Sequence, residues 1–369
     1  MSIRSPLDDR HRQLGASMTD FAGWEMPLHY GSVVAEHAAV RDSCGIFDLS
    51  HLGTLTVTGP GAEATVQRAF TNDVTALPVG RAHYTLCLND DGGIVDDLLV
   101  YHLDWGYFVV PNAANAPAVR SVVESVAVDC EVRDVKADMA CIAVQGPAAA
   151  DIVTAAAIPV HELGYLDCRV LVVPAGGSSA TGGGPDGPPP EGGVLARSGY
   201  TGERGYELFM PAEAAPTRWD DLLEAGAVPV GLGARDTLRL EMGYPLHGQD
   251  ISPATSPVEA GLNWAVKPAT EFVGRDAYVA AKEAGARRRL WGLRVTDRGI
   301  PRAHCTVLRD ATPIGETTSG TFSPTLKAGI AMAYLDTSVQ GGDTVQIDVR
   351  GKALSAEVTR PPFVASSPK

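Results

Sequence analysis

No run of 18 apolar residues occurs anywhere in this 369-residue sequence, and the opening Met1 to Pro6 has no apolar signal core. Neither a membrane-spanning helix nor a secretory leader is therefore expected. Positive charge is scarce: 30 Lys and Arg face 44 Asp and Glu, a formal charge of −14. A broad nucleic-acid or anionic-membrane surface needs a basic excess, so an anionic ligand here must be met by local arginines. The six cysteines, Cys44, Cys87, Cys130, Cys141, Cys168 and Cys305, form no CxxC and no close pair. That spacing argues against a disulfide framework or a structural zinc site, and for reduced thiols in a cytoplasmic protein. Motifs of cofactor chemistry are missing too. Gly231-Leu232-Gly233 lacks the third glycine and preceding strand of a dinucleotide fingerprint, and Thr201-Gly202-Glu203-Arg204-Gly205 is no P-loop. The nine histidines make no HxxxH or HExxH unit. Ser50-His51 is not a catalytic pair by adjacency, because a triad is a spatial arrangement. His51 and His83 read as structural or weakly polar lining. What remains is acid/base or electrostatic work by a carboxylate.

What is present suits a soluble multidomain chain. Hydrophobic residues make up 45% and charged residues 20%, and the length predicts two or three domains. Phe21 to Tyr30 reads as an aromatic loop, residues 31–42 as a helix capped by Ser32, and Thr54 to Thr58 as a strand. Ala62 to Phe70 reads as a helix, His83 to Leu88 and Tyr107 to Val110 as strands, and residues 114–126 as a helix. Cys141 to Pro147 reads as a strand entering a helix at the proline. Residues 174–193 are Gly/Pro-rich and nearly devoid of apolar side chains, which predicts a flexible surface insertion. Gly199 to Phe209 reads as strand–turn–strand, and Ala214 to Gly226 and Gly231 to Met242 as helices. After Arg287-Arg288-Arg289 the sequence becomes strand and turn to its end; that basic run fits a solvated face as well as a docking patch for an acidic partner.

The most informative stretch is Asp90-Asp91-Gly92-Gly93-Ile94-Val95-Asp96-Asp97-Leu98-Leu99-Val100-Tyr101, a turn followed by an apolar strand with two carboxylates inside it. Alternation puts Asp97 on the face of Leu99 and Tyr101, and Asp96 on the face of Leu98 and Val100. One acid can face solvent cheaply; the other must face whatever Leu99 and Tyr101 face. On these residues alone, a solvated hairpin edge explains the pair as well as a site does. Tyr200 with Glu207 fits a polar hairpin with an ordinary aromatic anchor somewhat better than a site, and Arg235-Asp236 fits a surface or structural ion pair of little energetic weight.

Taken in order, the motifs resemble the aminomethyltransferase (T-protein) family of the glycine cleavage system. They are Phe21-Ala22-Gly23-Trp24-Glu25-Met26-Pro27, Phe47-Asp48-Leu49-Ser50-His51-Leu52-Gly53, Asp91-Gly92-Gly93-Ile94-Val95-Asp96-Asp97-Leu98, and Asn112-Ala113-Ala114-Asn115. Gly199-Tyr200-Thr201-Gly202-Glu203, Ala234-Arg235-Asp236-Thr237-Leu238-Arg239-Leu240-Glu241 and Thr318-Ser319-Gly320-Thr321-Phe322-Ser323-Pro324-Thr325 complete the set. Two features depart from the pattern: the long 174–193 insertion, and the tail Phe363-Val364-Ala365-Ser366-Ser367, which lacks the basic or aromatic residue that often helps close the folate site.

The resemblance implies an α+β fold, a three-domain cloverleaf of the aminomethyltransferase folate-binding type with a C-terminal β-barrel-like domain. Domain 1 is expected to combine 1–53, 140–150 and 245–285, domain 2 to combine 54–139 and 151–244, and the C-terminal domain to span 286–369. The implied reaction moves the methylene of the aminomethyl group on the dihydrolipoyl arm of H-protein to tetrahydrofolate, giving 5,10-methylenetetrahydrofolate and ammonia. Tetrahydrofolate is the co-substrate, with no metal, flavin or nicotinamide. Lipoylated H-protein is the implied partner, with the P- and L-proteins involved indirectly and neither nucleic acid nor membrane. Position by position, Asp97 falls on the family's catalytic carboxylate, so its replacement is expected to cost more than that of Asp96, a solvated or structural neighbour. Leu52, Tyr84, Tyr101, Val110, Asn112, Tyr200, Glu207, Arg235 and Tyr244 fall on ligand-lining positions, with Leu52 a volume-conserving replacement for methionine. Another tetrahydrofolate-dependent demethylase or methyltransferase, such as a dimethylsulfoniopropionate demethylase, would share the fold. So would a YgfZ-type folate-binding protein, although the cysteine motif of that group is missing around Tyr200.

Overall fold

A computed structural model describes residues 2–160, 162–171 and 192–365. Residues 55–134 build a five-stranded antiparallel sheet in the order Arg81–Leu88, Ile94–Leu103, Gly106–Val110, Leu55–Thr58, Glu131–Asp134. Helices Ala62–Ala69 and Ala116–Ser125 cover one face, burying Val66, Phe70, Val119 and Val123 against Leu55, Val57, Leu98, Val100 and Val109. A six-stranded sheet runs Cys168–Leu171, Gly193–Ala196, Gly205–Pro211, Met139–Gln145, Gly45–Asp48, Val228–Pro229. Helices Ala149–Ala155 and Ala215–Glu224 pack on it around Trp219 and Leu222. A shared core of Tyr101, Phe108, Phe209 and Leu238 joins the two sheets. Strands between Arg288 and Thr359 close into a six-stranded barrel around Leu293, Val307, Ala333 and Ile347. The α+β class and the C-terminal barrel are thus as expected.

Sheet membership cuts across the expected grouping of 151–244 with 54–139. Met139–Gln145 pairs with Gly205–Pro211 on one side and Gly45–Asp48 on the other, while residues 55–134 form a separate, open sheet. Antiparallel partners this distant in sequence are chosen by face complementarity, which local patterning does not record. Smaller differences have local causes. Phe21 to Tyr30 is no loop: Ser17–Phe21 and Trp24–His29 form a hairpin turning on Ala22 and Gly23, both at positive φ (52° and 80°). That is the backbone of a tight two-residue hairpin, here without its usual Asn-Gly signature. The strand pairing with Gly205–Pro211 is Gly193–Ala196, upstream of Gly199. The helix after Gln145 starts at Ala149 rather than at Pro147. Of the 174–193 insertion, residues 174–191 lie outside the described residues, and Gly193 opens a strand.

Helix Leu232–Met242 sits where the parts meet. Ala234, Thr237 and Leu238 through Met242 are all buried, against helix Val33–Asp42 on one side and the barrel on the other. Its Glu241 accepts from Arg41 and from Ser323 and Thr325 of the barrel segment. Its Arg239 pairs with the fully buried Asp250 at 2.6 Å and donates to Ser319 at 2.8 Å.

Candidate active site

Strand Ile94–Leu103 lies between Arg81–Leu88 and Gly106–Val110, and its alternation aims the two acids at different surroundings. Asp97 faces a cavity of about 810 Å³ bounded by both sheets, the 245–264 segment and the barrel. Tyr84 donates its hydroxyl to Asp97 Oδ2 at 3.0 Å, and Asn112 Nδ2 lies 3.3 Å from Oδ1. Asp96 is not solvated. It has 0% exposure, and accepts from Asn112 N (2.8 Å), Asn112 Nδ2 (2.8 Å) and Asn115 Nδ2 (2.6 Å). Of the two expected alternatives, a solvated or a structural neighbour, its surroundings match the second, because helices Ala62–Ala69 and Ala116–Ser125 cover the face that Asp96 shares with Leu98 and Val100. Burial first, and the neighbouring Asp96 charge second, push the Asp97 carboxyl well above the ordinary range. Burial also raises Asp96, against the three amide donors, which favour its ionised form.

All ten residues singled out in the sequence line this one cavity: Asp97, Leu52, Tyr84, Tyr101, Val110, Asn112, Tyr200, Glu207, Arg235 and Tyr244. Their surroundings differentiate them. Tyr101 is fully buried and donates to Glu207 Oε2 at 3.3 Å, where Ser198 Oγ donates as well. One oxygen of Glu207 is therefore committed to the protein, and Oε1 has no protein donor among the described residues. The Asn112 amide holds the acid pair together rather than standing free. Tyr200 and Tyr244 stack with ring centroids 5.6 Å apart. Arg235 does not pair with Asp236; that partner belongs to Arg239, at 2.8 Å. The Arg235 guanidinium lies 4.7 Å over the Tyr200 ring, and among the described residues no carboxylate forms an ion pair with it. Burial lowers its proton affinity, countered by Tyr200 and Glu207. A desolvated cation without a counter-ion, at a cavity wall, is suited to an anionic ligand group.

Sequence reasoning missed several lining residues. Trp264 is 59% exposed and stacks on Tyr84 with centroids 5.0 Å apart and planes 22° apart, making an aromatic shelf at the opening. His247 lines the wall and pairs through Nε2 with the Ile94 carbonyl at 3.0 Å. Both lie in a segment of short helical turns with no periodic signal; a lone tryptophan in a chain with only 6% aromatics was the one clue. His51 and His83 line the cavity as expected. Burial, with the Arg235 charge next, pushes His51 down to about 3, which keeps it neutral beside that cation.

The lining fits a reduced folate. Its volume lies in the range of small-molecule sites, two stacked aromatic pairs suit flat rings, Glu207 suits donors on a heterocycle edge, and Arg235 suits a carboxylate tail. Among the described residues no group of side chains is arranged to hold a metal ion.

Comparisons with known proteins agree with this geometry. The sequence model of the GCVT N-terminal domain matches residues 7–177 and 191–270, and that of the glycine cleavage T-protein C-terminal barrel domain matches residues 288–365. An aminomethyltransferase of Mycobacterium avium (strain 104) is 47% identical over 98% of this chain and 97% of its own. One from Parafrankia sp. (strain EAN1pec) is 49% identical over 99% of each. The crystal structure of glycine cleavage system aminomethyltransferase T from Bartonella henselae superposes with a TM-score of 0.89 at 33% identity, covering 99% of this chain and 98% of that one. On fold, cavity and full-length similarity together, the chain belongs to the aminomethyltransferase family, the T-proteins of the glycine cleavage system.

Proposed function

We propose that this aminomethyltransferase uses Asp97 as its catalytic carboxylate, takes tetrahydrofolate into the cavity as co-substrate, and receives the aminomethyl group from the lipoyl arm of H-protein. The observation that carries the reading is the convergence of the Asp97 carboxylate, two aromatic stacks and an arginine without a carboxylate partner among the described residues in one cavity. Tetrahydrofolate would supply two nucleophilic nitrogens that take the methylene as its bonds to nitrogen and sulfur break, releasing ammonia and the free dihydrolipoyl thiol, which carry off the two displaced N–H protons. Asp97, with its raised proton affinity, can take up a proton released at those nitrogens and stabilise positive charge at the methylene carbon. Groups placed in this way contribute ~10²–10⁴-fold. Tyr84 and Asn112 orient its two oxygens. Tyr101 and Ser198 hold Glu207 so that its free oxygen meets the heterocycle edge, and Arg235 anchors the anionic tail. Proximity of the two substrates accounts for much of the remaining acceleration.

The full-length aminomethyltransferase relatives do not favour the demethylase and YgfZ-type alternatives. The six cysteines are free, in keeping with a reducing, cytoplasmic setting, and among the described residues no helix is long and apolar enough to cross a membrane. Ammonia release from aminomethyl-loaded H-protein tests the reading. Release is expected to rise sharply when tetrahydrofolate is added; no folate dependence would turn attention to the demethylase alternative. Asp97→Asn is expected to lose ~10²-fold or more in turnover with folate affinity largely kept, and full activity in that variant would remove Asp97 from its role.

A further inference from the structure

We propose that Asp96 is a positioning residue for the reaction: clamped by Asn112 and Asn115, it fixes the neighbouring Asp97 carboxylate through the shared Asn112 amide and, when ionised, sets a negative charge behind it. The inference rests on the reading of Asp97 as the catalytic group.

Three observations support it. Asp96 is fully buried and yet faces three N–H donors, at 2.8, 2.8 and 2.6 Å. Donors of this kind stabilise only an acceptor, so they favour the carboxylate over the acid. The Asn112 amide nitrogen is common to both acids, lying 2.8 Å from Asp96 Oδ1, 3.0 Å from the Asp97 carbonyl and 3.3 Å from Asp97 Oδ1. Its own backbone N–H donates to Asp96 Oδ2, which ties the residue's main chain to the same acid. Finally, Asn115 spends its side chain on Asp96 rather than on capping the helix that follows it, Ala116–Ser125. An amide diverted from a free cap is a device for the acid, not for the helix.

The consequence is electrostatic as well as geometric. A charge this close in a dry site raises the proton affinity of its neighbour, which a general base near neutral pH requires. The other groups facing Asp97 are Tyr84 from the adjacent strand, Tyr200, and His247 from the loop after helix Leu232–Met242. Cys87 faces Asp96, its thiol kept protonated by burial and then by the Asp96 charge. Among these groups Asp96 is the carboxylate adjacent to Asp97, and because burial raises its proton affinity as well, the two acids titrate as a pair.

The test is the pH profile of kcat/KM in the full chain with aminomethylated H-protein and tetrahydrofolate. Asp96→Asn is expected to move the acid limb down by about one to two pH units and to lower kcat about tenfold, with folate KM unchanged. Asn115→Ala keeps the acid but removes a donor to its anion. The pair then holds its proton more tightly and the limb moves up by roughly half a unit. Opposite shifts support the proposal, and a merely structural role would move neither limb. If Asp96→Asn fails to fold, the Asn115→Ala shift decides alone. Should Asp97→Asn be inactive while both other variants keep the wild-type limb, the inference is overturned and the catalytic reading stands. Full activity in Asp97→Asn overturns both.

Discussion

At the residue scale the decisive contrast is between two adjacent aspartates of the same chemistry. Alternation along strand Ile94–Leu103 separates them, but only the tertiary surroundings give each its character: a cavity wall for Asp97, a sealed amide cradle for Asp96. The raised Asp97 carboxyl has a stability consequence. A group whose folded value lies above its unfolded one favours the native state fully below the unfolded value, near 3.8, and loses that contribution as pH rises through the folded value. At pH 7.5 the ionised Asp97 therefore costs stability. Asp97→Asn is expected to raise the thermal midpoint there, by ~1–2 kcal/mol of stability, and to show less benefit at pH 5. Calorimetry at the two values measures this; a midpoint that falls equally at both would contradict it. Part of the candidate site was legible residue by residue because Asp97, Asn112, Tyr200 and Arg235 sit in ordered motifs. Trp264 and His247 were not legible, because they reach the cavity from turns whose local sequence records only their own geometry.

Among the elements, helix Leu232–Met242 illustrates how far local sequence reaches. Its span was readable from spacing, but its terminus depends on a contact remote in sequence. Gly243 closes it at φ 65°, in the left-handed region, and an added Cβ would meet Pro361 Cβ at 2.1 Å. Gly243 and Pro361 both line the cavity, so the cap brings the chain's tail to the site. Gly243→Ala is expected to cost about 1–3 kcal/mol through backbone strain and displacement of Pro361. It should also raise the folate Kd, which isothermal titration would detect. The N-terminal hairpin shows the converse. Its turn uses Ala22 where Asn or Gly is usual, so turn chemistry gave no warning of the two strands that flank it.

For the whole molecule the link between the sheets and the barrel is polar as much as apolar. Glu241 takes Arg41 at 2.8 Å, Thr325 at 2.9 Å and Ser323 at 2.6 Å, with His37 at 3.3 Å. Burial alone would raise this carboxyl, but the hydrogen bond and charge of His37, then Ser323 and Arg41, bring it down to about 2. A depressed carboxylate contributes stability above its unfolded value of 4.5, and that contribution is lost as pH falls toward about 2. Glu241→Gln is therefore expected to lower the melting temperature at pH 7 and to flatten its decline between pH 4.5 and 2. Glu241→Ala, which removes the acceptor of two hydroxyls and one of the two carboxylates paired with Arg41, the other being Glu203 at 2.8 Å, is expected to cost ~1–3 kcal/mol. Circular dichroism melts across that pH window decide both.

By itself the sequence determined most element types, the all-β C-terminal part, and the absence of metal and nucleotide motifs, each written locally in periodicity or turn chemistry; the ten positions singled out from the family resemblance are among the residues that line the cavity. Tertiary structure decided which strands pair, that Asp96 is sealed rather than solvated, that Arg239 and not Arg235 takes Asp236, and that Trp264 meets Tyr84. Those outcomes depend on burial and on long-range complementarity between faces, and desolvation acts on a side chain only when distant parts of the chain close over it.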